Sequence, residues 1–177
     1  MAVFSDSTVL SKADVKFLLE LLPIQKSPLP DIYIFDHWKT ISQYTNTKKN
    51  LYSQYSLLKS IIQNRVFSTY NFKYNMIFIY LFNLPYSDPY LTKLHGAYCL
   101  YHEIRHQQQF FENNTQFDVF PPESSFYSHI WVEKDANQYA VKWMRKNRPL
   151  INQQFKLQHL AWDIGVNEHN RLRIIAK

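Results

Sequence analysis

Glycine is nearly absent, with two residues in 177, Gly96 and Gly165. A loop that cradles phosphate needs glycines where the backbone approaches the anion; neither G-x-x-x-x-G-K nor G-x-G-x-x-G occurs, which excludes nucleotide binding through such loops. The single cysteine, Cys99, rules out an intrachain disulfide framework and fits a reducing, cytoplasmic compartment. Its expected role is a small buried side chain. No apolar run approaches the roughly 18 residues that a membrane-spanning helix requires. Met1–Thr8 lacks the basic start of a signal peptide, and Lys12, Asp14, Lys16 and Glu20 interrupt the apolar positions after it, so no leader is expected. Low-complexity segments and internal repeats are also missing. Acidic residues are in short supply, 14 against 20 Lys and Arg, for a net charge of +6 and a pI near 9.3. That balance raises nucleic-acid binding as a possibility. The basic residues are scattered, however, apart from groups at 142–148 and 171–177. Both read as solvated helix ends, where cations suit the helix dipole. A basic nucleic-acid-binding module is therefore the weakest of three functional alternatives.

What the chain does have is apolar and aromatic mass, 46% and 17% of residues. It is a globular sequence of a length that suits one domain. Val9, Leu10, Ala13, Phe17 and Leu21 recur at helical spacing, with Ser7 or Thr8 as the expected cap. Pro23, Pro28 and Pro30 make a linker. Ile32–Phe35 reads as a short strand, Trp38–Tyr44 as ambiguous, and Lys48–Gln63 as a helix with Leu51, Tyr55, Leu58 and Ile62 inward. The alternation of Val66, Ser68, Tyr70 and Phe72, followed by the dense run Met76–Phe82, predicts two strands that pair as a hairpin across Tyr74-Asn75. Residues 150–177 read as a helix of about 12 residues, a weak segment near Asp163-Ile164-Gly165, and a second short helix; Leu157, Leu160, Ala161 and Ile164 are expected to pack on the body.

The chemistry concentrates in Tyr101-His102-Glu103-Ile104-Arg105-His106, an H-E-x-x-H pattern. On a helix, residues four apart leave one face, so both imidazoles can hold one zinc ion. Glu103 beside the first ligand can take a proton from a zinc-bound water. The context is helical: from Leu91 to about Asn113 there is no proline, and Asp88-Pro89 suits a helix start. Leu94, Ala97, Leu100 or Tyr101, Ile104 and Phe111 form a core stripe, and His95, Tyr98, His102, His106 and Gln109 a separate polar one. After a break at Asn113–Thr115, a short strand is expected over Gln116–Phe120 and a second helix over 124–147. That helix carries Glu133-Lys134-Asp135-Ala136-Asn137, with Glu133 27 positions beyond His106. Two His and one Glu leave a coordination position open, as catalytic zinc sites do.

His-Glu-Ile-Arg-His followed by Glu-Lys-Asp-Ala-Asn resembles the gluzincin clan of zinc metallopeptidases, and in length the small minigluzincins. The resemblance covers about residues 75–148. It implies an α+β, zincin-like domain over 1–177, mostly helical with a small mixed or antiparallel sheet. An N-terminal helix and proline-containing linker would occupy 1–30, a sheet-bearing half 31–90, the zinc-binding helices 91–148 and a helical tail 149–177. The active-site helix would span 91–113 and the glutamate helix 124–147. His102, His106 and Glu133 become zinc ligands and Glu103 the general base of peptide-bond hydrolysis, with a peptide or protein as substrate. A zinc-binding protein without turnover is the second alternative. Where the family often has Asp four residues after the ligand Glu, this chain has Asn137, with Asp135 nearby. Either is a candidate to orient a ligand imidazole. Tyr98, Tyr127, His129 and His169 are candidates to donate to the oxyanion, His129 sharing a helix face with Glu133. Oligomeric state is not legible from the sequence.

Overall fold

The computed structural model describes residues 1–5, 7–23, 27–41, 58–112, 125–167 and 172–176. The expected strand at 116–120, the start of the helix at 48–63, and His169 lie outside them.

A four-stranded mixed sheet forms the base, in the order β1 (Val3–Ser5), β2 (Asp31–Phe35), β4 (Met76–Tyr80), β3 (Ser68–Asn71). β1 and β2 are parallel, β2 and β4 are parallel, and β3 runs antiparallel to β4 as the expected hairpin. The hairpin turn closes on Asn75 at φ 49°, a left-handed position that asparagine tolerates. β2 reads as an unbroken apolar run because both its faces are covered. Ile32 and Ile34 point into the main core with Ile77 and Ile79. Tyr33 and Phe35 point the other way, toward Ile41 and Ile61. On that second face Phe4, Tyr33, Phe78, Phe35 and Tyr80 stack across three strands at centroid distances of 4.6–6.3 Å. Such pairs add about 0.5–1.5 kcal/mol each beyond area burial.

α1 (Lys12–Glu20), α2 (Pro89–Glu112), α3 (Ser125–Lys146) and α4 (Arg148–Phe155) carry the rest of the main core. α1 starts later than the sequence reading placed it. Its cap is Ser11, in a reciprocal capping box with Asp14. Ser7 instead accepts from the backbone N–H groups of Val9 and Leu10 and forms a local turn. β1 is a strand that the N-terminal reading lacked. It is tied down where the Asp31 carboxylate accepts from the Ala2 N–H at 2.6 Å. In the helical stretch 58–63 Leu58 packs inward as expected, but the buried isoleucine is Ile61, while Ile62 is exposed.

α2 begins as expected at Asp88-Pro89, with the Asp88 carboxylate accepting from Tyr90 and Leu91 N–H. Leu94, Ala97, Leu100, Tyr101 and Ile104 are fully buried, whereas Phe111 is 42% exposed and leaves the core stripe. The separate polar stripe is largely covered as well: His95, Tyr98 and Gln109 are buried. α2 is thus wrapped nearly all round, and Gly96 shows how tightly. A Cβ there would lie 2.8 Å from Leu81 Cδ2 and 3.1 Å from Leu10 Cδ2.

The tail departs most from expectation. α4 stops at Phe155, closed by Lys156 in the left-handed region at φ 57°. Beyond it lies an antiparallel hairpin, β5 (Trp162–Val166) with β6 (Leu172–Ala176), in place of a second helix. Trp162 and Ile164 face inward, and Ala161 is exposed. Among the described residues no helix is long and apolar enough to cross a membrane.

Candidate metal centre

α2 lies against β3 and β4 of the sheet, α3 packs alongside α2, and His102, His106 and Glu133 meet between the two helices. Their ligand atoms all lie within 4.8 Å of one another, and among the described residues no other group of three His, Cys, Asp or Glu side chains converges in this way. His102 Nε2 is 3.3 Å from Glu133 Oε2, His106 Nε2 is 3.3 Å from Glu133 Oε1, and the two Nε2 atoms are 2.9 Å apart. Neighbouring donors around a tetrahedral ion held at about 2.0–2.1 Å stand about 3.3–3.4 Å apart. Both histidine–carboxylate edges match that spacing, and the imidazole–imidazole edge is slightly short. The donor set, two neutral nitrogens and one carboxylate, suits a divalent cation such as zinc.

The electrostatics of the trio are mutual. Burial raises the Glu133 carboxyl, but hydrogen bonds to His102 and His106 and their charges outweigh it and hold the group well below its ordinary range. Burial lowers His106, yet the Glu133 bond, the nearby Glu103 and Glu133 charges and Gln109 reverse the sign and leave it raised.

Glu103 points to the sheet side of the same cleft and is only 5% exposed. Its Oε1 accepts from the Ser68 hydroxyl at 2.7 Å. Ser68 belongs to β3, the sheet edge that flanks α2. The cleft has a volume of about 1010 Å³, and its walls include Ser68, Tyr70, His95, Tyr98, Glu103 and Glu133. None of the described residues among 1–30 lines it, and β1 sits at the opposite sheet edge. The Phe67 carbonyl accepts from Tyr80 N–H at 2.8 Å, and Ser68 stands opposite Ile79. Antiparallel pairs alternate between bonded and non-bonded. Ser68 and Tyr70 thus turn their backbone N–H and C=O away from β4, toward the cleft.

The outer residues differ from expectation in part. Asp135 touches neither imidazole; its Oδ2 accepts from Arg105 Nε at 2.6 Å and from Gln109 Nε2 at 2.8 Å. Asn137 accepts a very short hydrogen bond from the Tyr98 hydroxyl and does not reach Nδ1 of His102, which is buried without a hydrogen-bond partner. Tyr98 lines the cleft, but its one proton is committed to Asn137. Tyr127 and His129 belong to the first turns of α3, and their side chains lie outside the described residues. The partner that the sequence reading did not assign is Gln109, whose Oε1 is 2.9 Å from His106 Nδ1. Its place three residues beyond His106 on one helix was the available signal.

No family model, curated protein or solved structure matches this chain.

Proposed function

We propose that the protein is a zinc-dependent metallopeptidase on a zincin-like fold, in which His102, His106 and Glu133 hold the ion. The observation that carries this reading is the convergence of three ligand atoms within 4.8 Å on a cleft whose wall also bears Glu103. When bound, the metal supplies a Lewis acid that makes water nucleophilic near neutral pH and polarises the peptide carbonyl. Glu103 takes the proton of the attacking water and passes it to the leaving amine, because Oε1 is fixed by Ser68 and Oε2 remains for proton transfer. The substrate is an extended peptide. The outward N–H and C=O groups of Ser68 and Tyr70 allow it to join β3 as a further strand, which would carry the scissile bond past Glu103.

The test compares wild type with Glu103→Gln. Protein purified without chelator should contain about one zinc per chain in both forms. Cleavage of a peptide library by wild type should fall by at least 100-fold in the variant, the low end of general-base contributions. Zinc retained by a wild type that cleaves nothing would move the protein to the metal-binding class without turnover. A zinc-free wild type would remove the reading altogether.

A further inference from the structure

The environment of Gln109 plays no part in the chemistry proposed above, yet its hydrogen bonds are fully directional. This amide is 1% exposed. Nε2 lies 3.0 Å from the Val132 carbonyl and 2.8 Å from Asp135 Oδ2. A backbone carbonyl can only accept, and an ionised carboxylate can only accept, so the NH₂ end must face α3. Oε1 must then face His106 Nδ1, 2.9 Å away. An amide oxygen can only accept, so Nδ1 must carry the hydrogen. In a neutral imidazole that leaves Nε2 bare, and Nε2 is the atom that faces His102 and Glu133.

Asp135 is itself held. Arg105 reaches it from α2 at 2.6 Å and also pairs with Glu112 at 3.1 Å. The chain of contacts therefore runs from Arg105 to Asp135, from Asp135 to Gln109, and from Gln109 to His106, and it crosses between the two ligand-bearing helices twice. His102 has no equivalent, since its Nδ1 is buried without a partner. The support is one-sided: it sets one of the two imidazoles.

We propose that Gln109 is a positioning residue that fixes His106 in the Nδ1–H tautomer and so presents a bare Nε2 to the metal, with Asp135 acting only through Gln109. The inference rests on the metal-centre reading above and adds to it a residue from outside the H-E-x-x-H pattern. Outer partners of this kind are worth about 10–100-fold in metal affinity.

Two measurements test it. The first is zinc affinity, read by competition with a chromophoric chelator on the full chain. Gln109→Met, which keeps volume and loses both ends of the amide, should bind zinc about 10–100-fold more weakly than wild type. Gln109→Asn keeps the amide but is one methylene too short to span from the Val132 carbonyl and Asp135 to His106 Nδ1. It should also bind zinc at least about tenfold more weakly than wild type, and it carries the test if Gln109→Met does not fold. The second is the ¹⁵N imidazole spectrum of the metal-free protein, taken at a pH high enough that His106 is neutral, which should show His106 as the Nδ1–H tautomer in wild type. Equal zinc affinity in Gln109→Met and wild type would overturn the proposal and leave the metal centre standing. So would equal zinc affinity in Gln109→Asn and wild type, or an Nε2–H tautomer in wild type. A wild type that binds no zinc would instead remove the metal centre, and the imidazole spectrum alone would then decide the tautomer.

Discussion

Asp14→Ala is the substitution whose cost the structure specifies best. Asp14 is 4% exposed and sits where α1, α2 and α4 meet. Its Oδ2 accepts from Ser11 N–H at 2.9 Å and from the Ser11 hydroxyl at 2.7 Å, and it pairs with Lys93 Nζ at 2.9 Å. Oδ1 accepts from Gln154 at 3.3 Å. Losing the capping box costs about 1 kcal/mol. Breaking a buried pair while its cation stays behind costs about 3–5 kcal/mol. Lys93 softens that cost, since it keeps 18% exposure and lies 4.5 Å over the Phe155 ring. The low end of that range applies, and the total is about 3–4 kcal/mol. For a chain of this length the melting temperature should fall by roughly 6–16 °C. Asp14→Leu combined with Lys93→Met removes both charges and should recover most of the loss, because a buried pair is worth little against apolar packing. Urea unfolding at pH 7 reads all three proteins, with the midpoint moving and the slope unchanged. The pH dependence has a definite sign. Burial raises the Asp14 carboxyl, but its bonds to Lys93 and Ser11 prevail and leave it below its ordinary 3.8. Its contribution is therefore complete above pH 3.8 and is lost as pH falls through the lower folded value. A cost below 1 kcal/mol for Asp14→Ala, or a double variant as unstable as the single one, would refute this account.

Other groups give further outcomes. His95 is held neutral by burial, with its pKa lowered from 6.5 to about 4; stability should be complete above pH 6.5 and decline by on the order of 3 kcal/mol toward pH 4, while His95→Gln flattens that slope in urea midpoints taken across the range. Tyr98→Phe should cost about 1–2 kcal/mol of stability and leave kcat within about tenfold; a loss of 100-fold or more with the fold intact would instead make Tyr98 an oxyanion donor. Arg145→Ala should cost under about 1 kcal/mol in urea unfolding although Arg145 makes two bonds to Asp163, because both partners are about half exposed and solvent screens the pair.

Legibility in the sequence tracked the range of the interaction that decides each element. α2 was legible because its signals are local: Asp88-Pro89 at the start, then helical spacing through Ile104. The β3–β4 hairpin was legible for the same reason, through alternation and a turn at Asn75. The convergence of His102, His106 and Glu133 needed only one longer step, from His106 to Glu133. Where two adjacent residues compete, the pattern cannot choose. Ile61 and Ile62 are about 100° apart on a helix, and only the sheet above them makes Ile61 the buried one. Ser7, Thr8 and Ser11 all offer a hydroxyl, and the Ser11–Asp14 box that decided the cap was visible at its three-residue spacing. β1 is three residues long and exists because β2 offers a parallel edge, a long-range fact. The alternation of Trp162, Ile164 and Val166 was present but short, and Gly165 made the segment read as weak. The burial of His95, Tyr98 and Gln109 was hidden because polar residues at helical spacing look like a solvent face. Here they face a cleft and a neighbouring helix that satisfies Tyr98 and Gln109.

That neighbouring helix also determines how the protein should respond to removal of the zinc ion proposed above. Several bonds join α2 to α3: Tyr98 to Asn137, His102 and His106 to Glu133, Arg105 and Gln109 to Asp135, and Gln108 to Tyr139. Beneath them lie Leu94, Ala97, Leu100, Tyr101, Ile104, Ala140 and Met144, all buried. In small zinc-dependent domains the metal supplies most of the folding energy, and chelation unfolds them. Here the two helices are held by a core that contains no ligand, so the ligand atoms should stay close together when the ion is removed. EDTA should therefore abolish peptide cleavage while far-UV circular dichroism stays within about a tenth of its starting amplitude. Zinc should restore activity without a refolding phase. Unfolding by chelator alone would mean that the core is insufficient and that the ion is a structural element of the fold.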